Sequence, residues 1–536
     1  MTRFRRLHLS HLLGAVVCAT LLSQCTGGGK RNASRTLIEF RAATALENAK
    51  LTPLSNRRPA LLSFREIERL TPAAQPAPEA VKAKVNTLFR SPFVVHRPSI
   101  TRTPSLANNT SLGPFIRVAS WNVEKSLSVS QAAAALKSRD VFISNLSDKT
   151  KRSPERLTEA LRQYERLVTA DILFLQEMDL GVNRSGYAFA AKQLADALGM
   201  HLCYAAKQIE LEPVIHPPAD LNKARYHGLF GLAVLSRFPI IHAECRQLKA
   251  QAYDWYAREM EEYDFTEAAR RKGARWLFKA NIQREIKYGG QMYFRVDVQA
   301  PGVRGERLAL IHNHLEIKTN PHGRKAQLDE ILSYIHDIPH PVIMAGDYNT
   351  ALSDISPIST TRLLKRTATD PQTALSVGLR LFAVSNLVNL TRSSLNILKN
   401  LHNPTALHIP ILLPNPSKEL FEAIEDYRFA DGQSFDIRGD RDRSINGTTA
   451  PFGNSHERNA YAHTPTFRVP RPIGPIGKTR LDWIFVKPPT GQAAYSYRFR
   501  PHFGETLTAF DLATKTDYSD HRPIVVDLPI EEPPLK

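Results

Sequence analysis

Seven runs along the chain are almost entirely apolar, and each is four to eight residues long at its core. They are "FIRVASWNV" (115–123), "ADILFLQEM" (170–178), "GLAVLSRFPI" (231–240), "RLALIHNHL" (307–315), "PVIMAGDY" (341–348), "RLDWIFV" (480–486) and "RPIVVDL" (522–528). Runs of this kind, without polar alternation, predict strands covered on both faces. Between them lie segments with helical periodicity, "YAFAAKQLADALG" (187–199) and "RKAQLDEILSYI" (324–335). Strands covered on both faces and helices between them predict a layered α/β sandwich.

The runs share a second feature: polar residues with chemical capability collect at their ends. Asn122 follows "RVASW", Glu177 follows "DILFLQ", His314 sits in "LIHNH", and Asp347 and Asn349 sit in "MAGDYN". Asp482 lies in "RLDW", and Asp520 and His521 stand side by side before "RPIVVDL". Any one of these satisfies a turn or faces solvent in an ordinary protein. Neighbouring strand ends lie about 5 Å apart, however, so groups repeated at the same end of successive strands converge on one pocket. Oxygen ligands from Glu177, Asp520 and Asn122 suit Mg²⁺ or Mn²⁺. Imidazoles and the remaining carboxylates supply proton transfer and charge stabilisation. A zinc-spaced Cys/His set and a Walker-type phosphate loop are both absent from the sequence, so metal-assisted hydrolysis of a phosphate ester fits best.

Composition changes the picture mainly at the N-terminus. The chain has 536 residues, 42% apolar and 23% charged, which is ordinary for a globular protein, but its net charge is +19. Residues 1–25 carry +3, residues 26–112 carry +9 and the remaining four-fifths carry +7. Residues 1–25 read as an export signal: a basic start, "MTRFRRLH", then the apolar "LLGAVVCATLL", too short to span a bilayer. "LLSQC" resembles a bacterial lipobox with Cys25 as the lipidated residue; Gln24 departs from that pattern, and ordinary cleavage is the alternative. The expected location is the periplasm or a membrane-anchored lipoprotein. Residues 26–112 read as a basic, Pro-containing arm, and 113–530 as the catalytic domain, a monomer, with insertions near 251–285 and 352–460. Cys203 and Cys245 form one disulfide or remain free thiols.

In order and spacing, "SWNVEK", "LQEMD", "LSRFPI", "HNHLE", "GDYN", "RLDWIFV" and "YSDHRPI" resemble the motifs of the endonuclease/exonuclease/phosphatase superfamily. The resemblance covers about residues 115–529. It implies a deoxyribonuclease-I-like four-layer α/β sandwich: two mixed β-sheets face to face, with helices outside. It implies Glu177 as principal metal ligand with Asn122 and Asp520 nearby, and Asp347 orienting or deprotonating the attacking water, which Asn349 helps hold. His521, oriented by Asp482, contacts the scissile phosphate as base or clamp; His314 hydrogen-bonds the phosphate or protonates the leaving oxygen. Arg324 either binds phosphate or forms a surface salt bridge. The expected activity is Mg²⁺-dependent cleavage of phosphodiesters, nucleic acid ahead of phospholipid, with a phosphomonoester as a further alternative and a non-catalytic binding module last. The Trp-Cys-Asp-Arg motif of inositol-polyphosphate phosphatases is missing, which disfavours that branch.

Overall fold

The computed structural model describes residues 51–71, 77–97, 107–109, 111–211, 221–260, 285–350, 405, 417–459, 462–473, 476–492 and 495–534. The export signal, Cys25 and most of the two insertions (261–284, 351–404 and 406–416) lie outside the described residues. The strands are β1 (Phe93–Val95), β2 (Ala107–Asn109), β3 (Gly113–Asn122), β4 (Ile172–Leu180), β5 (His201–Glu210), β6 (Leu229–Ser236), β7 (Ile240–Gln247) and β8 (Lys287–Gly289). They continue as β9 (Met292–Gln299), β10 (Arg307–His314), β11 (Val342–Asp347), β12 (Phe467–Ile473), β13 (Ile476–Thr479), β14 (Asp482–Lys487), β15 (His502–Thr506) and β16 (Ile524–Pro529).

Nine strands make one sheet, in the order β1-β5-β6-β4-β3-β16-β15 with β2 on β3 and β8 on β5; five make a second, β14-β11-β10-β9-β7. Both are mixed, because β3–β4 and β10–β11 are parallel pairs among antiparallel ones. Period-2 alternation divides each strand between two cores. Ile116, Val118, Ile172, Phe174, Val234 and Val526 of the first sheet meet Phe294, Val296, Leu310, Ile343, Ala345 and Ile484 of the second. The opposite faces carry helices. On the first sheet, Trp121, Leu173, Leu175 and Val525 pack with α3 (Val129–Lys137), α4 (Pro154–Val168) and α5 (Ala190–Leu198). On the second, Ile311, Met344, Trp483 and Phe485 pack with α6 (Pro321–Ile335) and α7 (Lys418–Asp426). The result is the four-layer sandwich that the sequence implies.

One expectation needs correction. Residues 51–71 and 77–97 belong to the folded body, whose boundary falls at Leu51, although the sequence reads as an arm up to residue 112. The prolines there delimit elements: Ser63 caps α1 (Phe64–Glu68) with a reciprocal Glu66 bond, and Pro78 precedes α2 (Glu79–Arg90). Val81, Val85, Leu88 and Phe89 of α2 are buried on the first sheet's helical side, while β1 closes the edge of β5. The end of the long insertion packs on the second sheet, where Leu420, Phe421 and Ile424 of α7 are buried beside Trp483. In the shorter insertion the described residues include a helix at Ala257–Met260; residues 261–284 lie outside the described residues. Cys203 and Cys245 are both free and buried between the sheets.

Candidate active site

The inter-sheet face of each central strand is apolar along most of its length and turns polar at one end. The column Ile116, Val118 ends in Ser120 and Asn122; Ile172, Phe174 ends in Gln176; Leu308, Leu310 ends in His312 and His314. Ile343 and Ala345 precede Asp347, and Ile484 follows Asp482. Alternation therefore delivers these side chains to the same end of the core. In the second sheet the registers His314↔Asp347 and Asp347↔Asp482 set three of them in one row.

Asp347 is the hub. Its Oδ1 accepts the Asn349 N–H at 2.8 Å and its Oδ2 accepts the Asn122 amide at 3.0 Å. That same Oδ2 lies 3.8 Å from Nε2 of both His314 and His521. Both gaps are longer than a hydrogen bond, so Asp347 is not bonded directly to either imidazole. Asp482, fully buried, holds His521 through a 2.8 Å contact between Oδ2 and Nδ1. Asp347, Asp482 and His521 present atoms within 4.8 Å of one another, as a metal set would. Because Asp482 and the imidazole satisfy each other directly, the pair is an acid–imidazole dyad instead.

Oxygen ligands gather beside it. Glu177 lies at a bulge where β4 slips against β6 between Leu175 and Met178, and its φ of 62° is left-handed. Bulges re-aim side chains, and strain of this kind persists where the surroundings enforce it. Glu177 Oε1 accepts from Asn122 at 3.3 Å, and Oε2 accepts the Lys125 N–H at 2.8 Å. Glu124, Lys125 and Ser126 are three consecutive left-handed residues, with φ of 44°, 51° and 57°. The turn places the Glu124 carboxylate to accept the Asp520 N–H at 3.1 Å, and Ser126 bonds the Glu177 carbonyl at 2.9 Å. The Ser519 hydroxyl ties the loop to the end of β3 by donating to the Asn122 carbonyl at 2.6 Å while accepting the His521 N–H at 3.0 Å.

Charge in this cluster is unbalanced. Burial and the negative charges of Asp520 and Glu177 push Glu124 up to about 9. Burial also raises Asp520, with Glu177 adding to it against His521, and burial carries Asp347 up to about 7. Burial opposes a charge on His521, but Asp482, Asp347 and Asp520 outweigh it and hold the imidazole protonated to about 10. His314 goes the other way, lowered by burial and then by Lys207 and His521. Glu124 and Asp520, kept from ionising first by burial and then by neighbouring negative charge, fit a divalent cation with hard oxygen ligands. Glu177, Glu124, Asp520 and the Asn122 carboxamide are the groups that would hold it.

The structure thus brings together Asn122, Glu177, His314, Asp347, Asn349, Asp482, Asp520 and His521. Asn349, at φ 47°, spends its amide on the Leu315 carbonyl at 2.9 Å. Arg324 is a correction: it is 3% exposed, not on the surface, and donates to the carbonyls of Thr319 at 2.7 Å and Glu316 at 3.5 Å, bracing the turn after β10. Sequence reasoning missed Glu124, although it stands two residues beyond Asn122 in "SWNVEK". It also missed Lys207, whose signal is a lone lysine inside the apolar run "HLCYAAKQIE".

A family model described as Endonuclease/Exonuclease/phosphatase family matches residues 119–521. No curated protein matches the chain. Among solved structures, an endonuclease/exonuclease/phosphatase from Beutenbergia cavernae DSM 12333 is similar, at 15% identity, 77% of this chain, 71% of that one and a TM-score of 0.34. The human Nocturnin catalytic domain with bound sulfate gives 16%, 80%, 98% and 0.34. Truncated Caenorhabditis elegans TDP2 gives 12%, 77%, 97% and 0.31.

Proposed function

Because the chain belongs to the endonuclease/exonuclease/phosphatase family and is a phosphoester hydrolase, we propose that its site cleaves phosphodiesters by water attack at phosphorus. The observation that carries this reading is Asp347 Oδ2, set 3.8 Å from two imidazole Nε2 atoms beside three crowded carboxylates. Asp347, poised near neutrality, takes the proton of the water as its oxygen bonds to phosphorus. His521, kept charged by Asp482, clamps a phosphoryl oxygen and does not serve as base. As the ester P–O bond breaks, the leaving oxygen takes its proton from solvent, matching the one Asp347 removed from the water, while the neutral His314, 3.8 Å from Asp347 Oδ2, donates a hydrogen bond to a phosphoryl or leaving oxygen. A bound Mg²⁺ or Mn²⁺ supplies Lewis-acid stabilisation of the charge developing on the phosphoryl and leaving oxygens.

Nucleic acid is the preferred substrate class; the catalytic part carries +7, and electrostatic attraction to a polyanion follows from that sign. A panel of plasmid DNA, RNA, sphingomyelin, phosphatidylinositol and a simple phosphomonoester, each with Mg²⁺, tests the reading. Hydrolysis of none of them rejects it, and hydrolysis of lipid alone replaces the nucleic-acid preference. The export signal and Cys25 tether belong to the same proposal: a Cys25→Ala variant moves from the membrane to the soluble fraction if the lipid is present, and unchanged fractionation rejects the anchor.

A further inference from the structure

Lys207 is a lysine where the fold calls for an apolar residue. Cys203 and Ala205 of β5 point into the inter-sheet core, and Lys207 continues that column. It is the extra residue of a bulge, since Ala206 pairs with Gly231 and Gln208 with Phe230. On the other side of β6, Gly231 is also the partner of Met178, directly after the bulge that presents Glu177. The two bulges therefore flank one glycine, and each turns a charged side chain toward the same place.

The ammonium of Lys207 is 2% exposed as a residue, and its hydrogen-bond partners are uncharged: Gln291 Oε1 at 3.1 Å and His314 Nδ1 at 3.2 Å. The Phe230 ring lies 5.2 Å from Nζ. Burying an ammonium against neutral partners is costly, and a methionine would fill the same column more cheaply. What the lysine adds is direction. Glu316, fully buried, accepts from Trp255 Nε1 at 2.8 Å and from Gln291 Nε2 at 2.9 Å. A carboxylate only accepts, so the Gln291 amide is fixed with its oxygen toward Lys207. An ammonium only donates, so His314 Nδ1 must accept. The imidazole's remaining nitrogen, Nε2, then carries the proton, and it faces acceptors on the other side: Asp347 Oδ2 at 3.8 Å and Glu177 Oε1 at 4.0 Å.

We infer that Lys207 is a positioning residue for the hydrolysis proposed above, on which this inference rests: through Nδ1 it fixes His314 as the tautomer protonated on Nε2, making the ring a hydrogen-bond donor to the phosphoryl or leaving oxygen. A ring with the opposite tautomer would present a lone pair to an anionic oxygen and repel it. Lys207 thus acts on the substrate only through His314, by way of a relay that begins at Glu316 and Trp255.

The test has two arms on the full-length chain. Long-range ¹H–¹⁵N correlation of ¹⁵N-histidine-labelled protein, with His314 assigned by its loss in His314→Gln, reads the tautomer without any substrate. The wild type should show Nε2–H, and Lys207→Met should move the ring toward a mixture; an Nδ1–H ring in the wild type overturns the inference. In the kinetic arm, Lys207→Met should lower kcat about tenfold or more with KM nearly unchanged. In a His314→Ala background the same change should cost less than about twofold, because the residue it positions is gone. An equal loss in both backgrounds overturns the inference in favour of general destabilisation. Should Lys207→Met fail to fold, the wild-type tautomer still decides the contact. A wild type inert on every phosphoester removes the functional reading, while the spectroscopic arm continues to judge the Lys207–His314 bond.

Discussion

Asp482 Oδ2 and His521 Nδ1 lie 2.8 Å apart in a fully buried setting, and they come from opposite sheets, on β14 and on the loop before β16. The bond therefore spans the sandwich at its polar end. Replacing Asp482 by Asn keeps the shape but removes the charge that holds the imidazolium. We expect kcat to fall about 10²-fold or more, as for loss of a charge-stabilising group, with the melting temperature changing little. Steady-state kinetics beside thermal denaturation measures both; an unchanged kcat would remove the dyad from the mechanism.

Divalent ions should be required. Glu124, Glu177 and Asp520 crowd so closely that burial and mutual repulsion raise Glu124 and Asp520. Excess chelator is expected to abolish turnover and added Mg²⁺ or Mn²⁺ to restore it. Stripped protein titrated with either ion should also gain thermal stability, because the cation binds only the assembled cluster. Full activity in chelator contradicts the metal reading.

Acid should destabilise the fold before it strips ordinary surface carboxylates. His312 is buried neutral between the sheets, next to Gln176, and burial lowers it to about 3. The unfolded ring, near 6.5, takes up a proton that the folded one refuses, so this contribution is complete above pH 6.5 and is lost as pH falls toward 3. At pH 5 the loss is about 2 kcal/mol from this histidine alone. His456, whose Nε2 accepts the Ile484 N–H at 2.8 Å, shifts in the same direction. Urea midpoints at pH 7 and pH 5 provide the comparison, and a His312→Gln variant should flatten the dependence.

Gly231 should tolerate no side chain. A Cβ there would meet the Ala205 carbonyl oxygen at 2.1 Å, within the ladder between the two bulges. Gly231→Ala is expected to cost ~1–3 kcal/mol by overpacking and to lower kcat beyond that, since Glu177 and Lys207 both move with the strand. Denaturation and kinetics of the variant separate the two effects; wild-type values for both refute the coupling.

Removing residues 51–112 should expose β5 as an open edge and uncover the surface under Val81, Val85, Leu88 and Phe89. Aggregation on expression is the expected outcome, measured as soluble yield against the intact chain. A soluble, active truncation would show that β1 and α2 are dispensable.

Much of the fold was legible because strands covered on both faces write themselves as apolar runs, and all seven runs lie in strands of the two large sheets. β9 was missed: in "MYFRVDVQ" the buried Phe294, Val296 and Val298 alternate with Arg295 and Asp297, and so short an alternation competes with a loop. Residues 51–71 and 77–97 were missed because proline and basic charge resemble a linker unless the caps they form are known. The eight clustered side chains were legible from their common position at strand ends. Glu124 and Lys207 were not: each stands in plain view in its segment, but the left-handed turn and the bulge that aim them at the site depend on the register of neighbouring strands.

The inward column of each central strand is core for most of its length and reagent at its tip. Sliding any one of these strands by a single residue would turn its reactive group into the helix-covered face and bring an apolar neighbour such as Trp121, Leu175, Met344 or Trp483 to the inter-sheet side in its place. A slipped strand would therefore bury a polar tip among helix-facing apolar side chains and empty its place in the pocket, so the pairing that seats the core is the same one that assembles the reagents.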